Sequence, residues 1–203
     1  MLHTLLASAV ISAAAHVTPV APSVTLPGVL LDTAVAAPVG KRLVLDLGSG
    51  GSVRITGGQD KVVRIRVTDG GRACGDCGVQ LVQGAEGIQV RSARPANGSA
   101  NLQFEIEVPE QFDLDLSSAG GDVNIEGLAG TIKGSTDSGA LQLRRLSGNV
   151  DLETKRGDVS LRESYVSGRV HTAGGRVVLE DVSGTVAGST GKGKVIERRV
   201  QRG

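Results

Sequence analysis

Residues 121–130 have the sequence GDVNIEGLAG, and this pattern recurs through the C-terminal half of the chain. Later copies begin with GALQL at 139–143, GDVSL at 157–161 and GRVVL at 175–179, and an incomplete copy begins at Gly193. When glycines are matched, the third copy has two extra residues, because it closes at Val166 and Gly168. Apolar and polar residues alternate within each copy, which indicates β-strands with one buried face.

A shorter motif, glycine followed at the second position by Ile or Val, lies between the copies, as in Gly130-Thr131-Ile132. Each repeat of 16–20 residues therefore contains two short strands joined by glycine corners, where glycine tolerates a positive φ. Regular recurrence predicts stacked coils, so we expect an all-β fold: a right-handed parallel β-helix or β-solenoid with roughly five short coils. The predicted corners are Gly121, Gly130, Gly139, Gly148, Gly157, Gly168, Gly175 and Gly184.

Stacking would align equivalent residues of successive coils about 4.8 Å apart. The first inward position of each copy would then form an internal ladder of Val123, Leu141, Val159, Val177 and Val195. Outward positions carry charges, several of which alternate in sign between neighbouring copies and would fix the register. The expected pairs are Glu126/Arg144, Arg162/Glu180, Glu180/Arg198, Arg145/Glu163 and Asp181/Arg199.

Composition agrees with thin layers of aliphatic side chains. The 203-residue chain has 30 glycines, no Trp, and only three other aromatic residues, Phe104, Phe112 and Tyr165. Its formal net charge is +1, and charges of both signs are interspersed. Without a concentrated basic face or interleaved aromatic residues, we expect no nucleic-acid partner.

The N-terminal part predicts export. Residues 1–15 contain a short apolar run that ends in Ala13-Ala14-Ala15, which predicts a signal peptide. Residues 16–41 are rich in Pro and Ala and predict a linker or lead-in, in which Leu26–Leu31 could add a short strand. Residues 42–111 predict an N-terminal β-strand region, a looser cap or first coils, before the repeats of 112–200. We expect no transmembrane segment after signal cleavage, and a final location in the periplasm or at the cell surface.

The G-x-V-x-L copies from Gly121 to Val200, together with the opening unit Leu43–Gly58 and the strand Lys61–Val67, resemble the bacterial DUF4097 family, also labelled "putative adhesin". The resemblance covers roughly residues 39–200. It implies a β-helix-like fold and an envelope location, and it supplies no catalytic residues. The word adhesin in that label rests on analogy of fold, which does not by itself establish a function.

Cys74 and Cys77 form a C-x-x-C motif within a glycine-rich segment. An oxidising compartment favours a turn closed by a disulfide. A redox motif would usually place the first cysteine at a helix N-terminus, and a zinc site would need further ligands. The disulfide is therefore our prediction, with redox activity, zinc and free thiols as alternatives.

We predict no catalytic, cofactor-binding or metal-binding residues. His171 is the only histidine in residues 17–203, and we place it in the outward series Lys133, Asp151, His171, Ala187, where it would stack against Asp151. The acidic residues of 105–115 are explained by alternation as the solvated face of two strands.

The sequence thus predicts a non-catalytic, adhesin-like envelope protein that offers a binding or scaffold surface. Its partner is unknown, and an envelope protein or a glycan are the candidates. One alternative is a carbohydrate-active enzyme that uses Asp113 or Asp115. Another is a scaffold that assembles through its open sheet edges.

Overall fold

A computed structural model describes residues 28–37, 42–70, 78–84, 87–93 and 101–203 of the chain. The predicted signal peptide and the predicted disulfide partners Cys74 and Cys77 lie outside the described residues. The described residues contain sixteen strands, which belong to one sheet. The all-β class is therefore confirmed.

The strands are short and lie close together in sequence. In chain order they are β1 Val29–Ala36, β2 Arg42–Leu47, β3 Ser52–Gly58, β4 Val62–Thr68, β5 Val79–Gly84, β6 Gly87–Ser92, β7 Gln103–Pro109, β8 Asp113–Ser118, β9 Val123–Glu126, β10 Ala129–Thr136, β11 Leu141–Arg144, β12 Ser147–Thr154, β13 Val159–Thr172, β14 Val177–Ser183, β15 Val186–Thr190 and β16 Val195–Gln201.

The predicted right-handed parallel β-helix or β-solenoid is wrong. The strands form one continuous mixed sheet whose main path is β1-β4-β7-β3-β9-β11-β13-β12-β10-β8-β2-β6-β5. Pairs β1–β4, β4–β7 and β5–β6 are antiparallel, whereas the pairs among β8–β16 are parallel. The repeat pattern of 121–200 predicts only the parallel pairs, because the antiparallel strands all belong to the non-repetitive residues before Pro109.

The long strand β13 joins the two halves of this sheet. Its first part, Val159–Arg162, pairs with β11, and its second part, Tyr165–Thr172, pairs with β12. Strands of both halves bury alternate side chains in a single apolar core. The core consists of aliphatic residues with Phe104 and Phe112, both almost fully buried. Because most strands bury one face, each half presents rows of outward side chains.

The parallel rows have a constant period of eighteen residues. Val123, Leu141, Val159, Val177 and Val195 are successive Cα partners, as the internal ladder predicts. The two extra residues assigned to the third copy are an error of glycine matching. The equivalent of Gly148 is Val166 and not Gly168. Ser164 takes the buried position between Leu146 and Val182, where its hydroxyl donates to the Arg162 carbonyl (2.6 Å) and accepts from the Leu146 amide (3.1 Å).

Residues 42–58 belong to the same rows although about 70 residues separate them from their neighbours. Leu43 of β2 pairs with Leu114 of β8, and Val53 of β3 pairs with Val123 of β9. Strands β4–β7 continue the sheet beyond this unit. Within the predicted lead-in, β1 at Val29–Ala36 pairs with β4.

The predicted corner glycines have two kinds of environment. Seven of the eight have a positive φ, and Gly175 is the exception. Gly130, Gly148 and Gly168 lie inside strands and Gly184 directly follows β14, whereas Gly121, Gly139, Gly157 and Gly175 precede strands. In this second group each glycine lies against the carbonyl of the equivalent glycine one repeat earlier. A Cβ at Gly157 would come 2.0 Å from the carbonyl oxygen of Gly139.

We call these four glycines the glycine column. A ladder of buried and half-buried threonines, which sequence analysis did not detect, bonds to its backbone. Thr172 and Thr190 donate hydrogen bonds to the carbonyls of Gly157 (2.8 Å) and Gly175 (2.7 Å). Thr154 makes a longer bond of the same kind to Gly139 (3.4 Å). Thr172 also accepts from the amide of Gly175 at 3.0 Å. Thr154, Thr172 and Thr190 are spaced by eighteen residues in the sequence, and this spacing could have predicted the ladder.

Gly157→Ala should destabilise the protein by about 2–4 kcal/mol, because the new methyl group cannot avoid a backbone carbonyl. The matched control is Gly174→Ala at the neighbouring corner, where a Cβ would lie 3.4 Å from the Lys155 carbonyl oxygen, an ordinary van der Waals contact. Urea unfolding followed by circular dichroism measures both. Equal stability of the two variants would contradict the close approach.

Thr172→Val should cost about 1–3 kcal/mol, because the nearly isosteric side chain leaves buried backbone groups of Gly157 and Gly175 without their partner. Thr185→Val is the control, since Thr185 is exposed. The free energies of unfolding of the two variants should differ clearly. A Thr172→Val protein as stable as the control would show that the ladder contributes nothing.

Candidate binding surface

The two halves of the sheet meet along a line of charged corners. We call residues 126–129, 144–147, 162–165, 180–183 and 198–201 the corner ridge. Gly127 occupies its first corner with φ of 71°. The four later corners are charged residues that nevertheless have φ between 50° and 55°, a region in which residues other than glycine are uncommon. They are Arg145, Glu163, Asp181 and Arg199.

Ion pairs connect neighbouring corners of the ridge. Arg144 makes a bidentate contact with Glu163, with N···O distances of 2.8 and 3.0 Å. Arg145 contacts Glu126 at 2.7 Å, so the predicted pairs Glu126/Arg144 and Arg145/Glu163 are replaced by these two diagonal pairs. Each ion pair is therefore displaced by one residue from the direct neighbours of the ladder.

The other three predicted charge pairs are confirmed. Glu180 lies between Arg162 (3.4 Å) and Arg198 (3.8 Å). Asp181 accepts two hydrogen bonds from the Arg199 guanidinium. Most of these side chains are about half exposed, so the pairs orient their groups more than they stabilise the fold.

These contacts lower the pKa values of the acidic groups. The hydrogen bond from Arg144 lowers the pKa of Glu163, and the hydrogen bond from Arg199 lowers the pKa of Asp181. On the flanking surfaces, Arg169 lowers the pKa of Asp151, and the backbone amide of Arg176, followed by its side chain, lowers the pKa of Asp158. All four carboxylates therefore stay ionised at lower pH than isolated ones.

Tyr165 is the most exposed large side chain of the ridge. Phe104 and Phe112 are buried, whereas Tyr165 is 70% exposed. Its neighbours in the row are Ser147 on β12 and Ser183 on β14. Because both neighbours are small, the tyrosine ring projects above them. Exposed tyrosines with free faces are typical anchors of binding surfaces.

His171 does not lie where the sequence predicted. Its neighbours in the row are Glu153 and Ser189, and its Nδ1 lies 2.8 Å from the Ser189 hydroxyl. The predicted stacking against Asp151 is wrong, because Arg169 occupies that position and holds Asp151 through two hydrogen bonds of 2.7 and 3.2 Å. The cause is the same two-residue error as at Gly168.

The acidic residues of 105–115 are divided between the two halves of the sheet. Glu105 and Glu107 lie on β7, whereas Asp113 and Asp115 lie on β8. Asp113 accepts the Thr131 amide at 2.8 Å, and Asp115 accepts from Arg42 at 2.8 Å. The bend after Pro109 separates the pairs. The structure therefore does not assemble them into one acidic site.

The described residues offer little else for chemistry. A shallow depression of about 260 Å³ lies beside the β5–β6 hairpin and is lined by Arg42, Val44, Val82, Gly84, Gly87, Ile88 and Gln89. Among the described ranges, no three His, Cys, Asp or Glu residues are grouped so that they could hold a metal ion. That part of the chain also contains no helix long and apolar enough to cross a membrane.

Sequence analysis missed two properties of the ridge. The charged pattern was visible, but nothing in it showed that four charged residues occupy left-handed corners. The exposure of Tyr165 was equally hidden, since glycine matching aligned Val166 with Leu146, two residues away from its true equivalent Gly148. Spacing alone, at residues 145, 163, 181 and 199, would have found the corner column.

Comparison with known proteins finds similarity only to solved structures. No family model and no curated protein matches the chain, so membership of the DUF4097 family stays a prediction. Two solved structures are similar. A "putative cell adhesion protein" from Clostridium sporogenes has 10% identity and a TM-score of 0.40, with coverage of 83% of this chain and 98% of the other. A "putative adhesin" from Parabacteroides merdae has 9% identity and a TM-score of 0.27, with coverage of 85% and 95%.

Acid should destabilise the protein through the ion pairs that Asp151, Asp158, Glu163 and Asp181 make with arginines. The folded-state pKa values of the four carboxylates are lowered, so their contribution is complete above the unfolded-state pKa and is lost as pH falls through the folded-state values. We expect the melting temperature to fall modestly below about pH 4, and less at high salt, because the pairs are exposed. Glu163→Gln should reduce this acid dependence.

The control for that variant is Glu105→Gln, since Glu105 makes no ion pair within the described residues. Melting curves across the acid range compare the two proteins. If both substitutions changed the acid slope equally, the Arg144–Glu163 contact would not be its source.

Proposed function

We propose that this protein is an exported, non-catalytic binding protein that acts as an adhesin and contacts an envelope glycan through the corner ridge. The observation that carries the proposal is Tyr165, an aromatic side chain that is 70% exposed in a chain that buries both of its phenylalanines. An aromatic residue in that position contributes little to the core, and its exposure is explained by a partner that covers it.

The surroundings of Tyr165 suit a polar polymer. A tyrosine ring can stack on the apolar face of a sugar, while nearby hydroxyl and charged groups bond its hydroxyls. Ser147 and Ser183 supply hydroxyl groups on either side, and Arg144, Glu163 and Asp181 supply charges held in fixed directions. Charged residues retained at corners that glycine would occupy with less strain also support a functional surface.

The proposal favours binding over catalysis because of how the candidate catalytic groups are placed. Asp113 and Asp115 are exposed or half-buried on an open sheet face and accept hydrogen bonds from neighbouring strands. His171 and Ser189 also lie on an open face, and neither belongs to the residues that line the depression beside β5. Export and the envelope location rest on the sequence of residues 1–15 and on the family resemblance.

Tyr165→Ala should weaken retention on envelope glycans by about tenfold or more, because it removes the stacking ring. Tyr165→Phe keeps the ring and should retain most of the affinity. Both variants should melt like the wild-type protein, since the side chain is exposed. Affinity electrophoresis of the exported chain in gels that contain purified cell-wall polysaccharide measures the effect.

Two outcomes would reject the proposed function. One is a wild-type protein that no envelope glycan retards. The other is a Tyr165→Ala protein that binds as tightly as wild type, which would place the contact elsewhere on the molecule.

A further inference from the structure

Four strands of the sheet have an edge without a backbone partner within the described ranges. Strand β1 pairs only with β4, β5 only with β6, β15 only with β13, and β16 only with β14. An unpaired edge presents free N–H and C=O groups and can accept another strand. Proteins usually protect such edges with charges, bulges or short strands.

Three of these edges are protected or offer little to bury. Strand β1 carries Asp32, which pairs with Arg66, and its register shifts between Val29 and Leu31. Strand β16 contains Glu197, Arg198 and Arg199, and it bends at the left-handed corner. The five-residue strand β15 has Val186 as its largest apolar side chain, and that residue is only 3% exposed.

Strand β5 lacks all of these protections. Its sequence, VQLVQG at 79–84, contains no ionisable residue, and its pairing with β6 is regular. Val82 on its outward face is 51% exposed, the highest exposure of any large aliphatic side chain in the described part. On the inward face Val79 and Leu81 pack against the core but remain partly exposed. A further strand at this edge would therefore bury apolar surface on both faces of the sheet.

We propose that β5 is the docking edge for a second copy of this chain, which pairs antiparallel with it about a twofold axis at Leu81. In this register Leu81 faces its own copy on the inward side, and each Gln80 faces the partner's Val82 on the outward side. Such an interface is isologous and closes as a dimer. Another copy is the favoured occupant because β5 contains no ionisable residue, so two copies of this strand meet without charge repulsion.

In the dimer, the inward faces of the two sheets become continuous across the pair of β5 strands. Strand β6 already places Val90 beside Leu81, and the copy's Leu81 would continue that row across the axis. Antiparallel pairing also satisfies the free backbone groups of both edges at once. This inference does not rest on the proposed glycan contact, because the corner ridge and β5 involve different residues.

Sedimentation velocity of the purified exported chain tests the proposal. The wild-type protein should sediment as a dimer. The mass of the 203-residue chain, before the predicted signal peptide is removed, is 20.7 kDa. Val82→Lys should weaken the dimer by about tenfold or more, because it introduces two ammonium groups at the interface. Leu30→Lys makes the same change at the β1 edge, where Leu30 is 42% exposed, and should leave the dimer intact.

A paired substitution tests the register. Val82→Glu alone should weaken the dimer, and Gln80→Lys added to it should restore association, because the new ammonium at 80 then faces the new carboxylate at 82 of the copy. A monomeric wild-type protein would overturn the proposal. So would a dimer that Leu30→Lys disrupts as strongly as Val82→Lys, or one that Gln80→Lys fails to restore. Circular dichroism confirms that each variant is folded, and glycan binding by Tyr165 variants is scored separately.

Discussion

The close approach of backbones at the glycine column is the constraint on which the rest of the structure depends. Gly139 lies against the carbonyl of Gly121, and Gly157 lies against that of Gly139, so neither position has room for a side chain. This contact fixes the eighteen-residue register, since a shift of one residue would place a side chain against a carbonyl and turn the apolar residues outward. The threonine ladder then ties each corner to the preceding repeat.

The charged surface is a consequence of that register. Residues eighteen apart come to lie beside one another, which brings Arg169 next to Asp151 on the flank. The same register places Arg144 within reach of Glu163, which lies one residue beyond its direct neighbour Arg162. Because the backbone positions these groups, modest surface ion pairs are sufficient to orient them. The same rigidity holds Tyr165 in an exposed position between two serines. The unprotected strand β5 lies in the non-repetitive part and has no equivalent among the repeats.

Much of the fold followed from local patterns. Alternation predicted the strands of 121–200, and the recurring Val and Leu positions predicted the internal ladder that the structure contains. The overall architecture did not follow, because the antiparallel pairs of β1 with β4 and of β4 with β7 join residues far apart in the sequence, and no repeat encodes these contacts. Matching glycines also failed at one point. Val166 stands where other repeats have glycine and Ser164 stands where they have Leu or Val, so the visible Gly168 gave a false register.

Of the candidate surface, the sequence revealed the charges but not their partners. Three pairs followed from the column pattern, whereas the diagonal contacts of Arg144 and Arg145 depend on side-chain direction at left-handed corners. His171 was placed beside the wrong neighbour for the same reason as Gly168. The predicted disulfide of Cys74 and Cys77 and the predicted signal peptide concern residues that the structure does not describe, and both stay predictions.

The constant register is the central claim, and through-hydrogen-bond scalar couplings measured by NMR test it most directly. The amide of Tyr165 should couple to the carbonyl carbon of Leu146, and the amide of Gly168 to that of Thr185, because these groups are hydrogen-bonded at 2.8 and 2.9 Å. Couplings at both pairs would establish an unbroken eighteen-residue period through β13. Couplings displaced by two residues along either partner strand would contradict it.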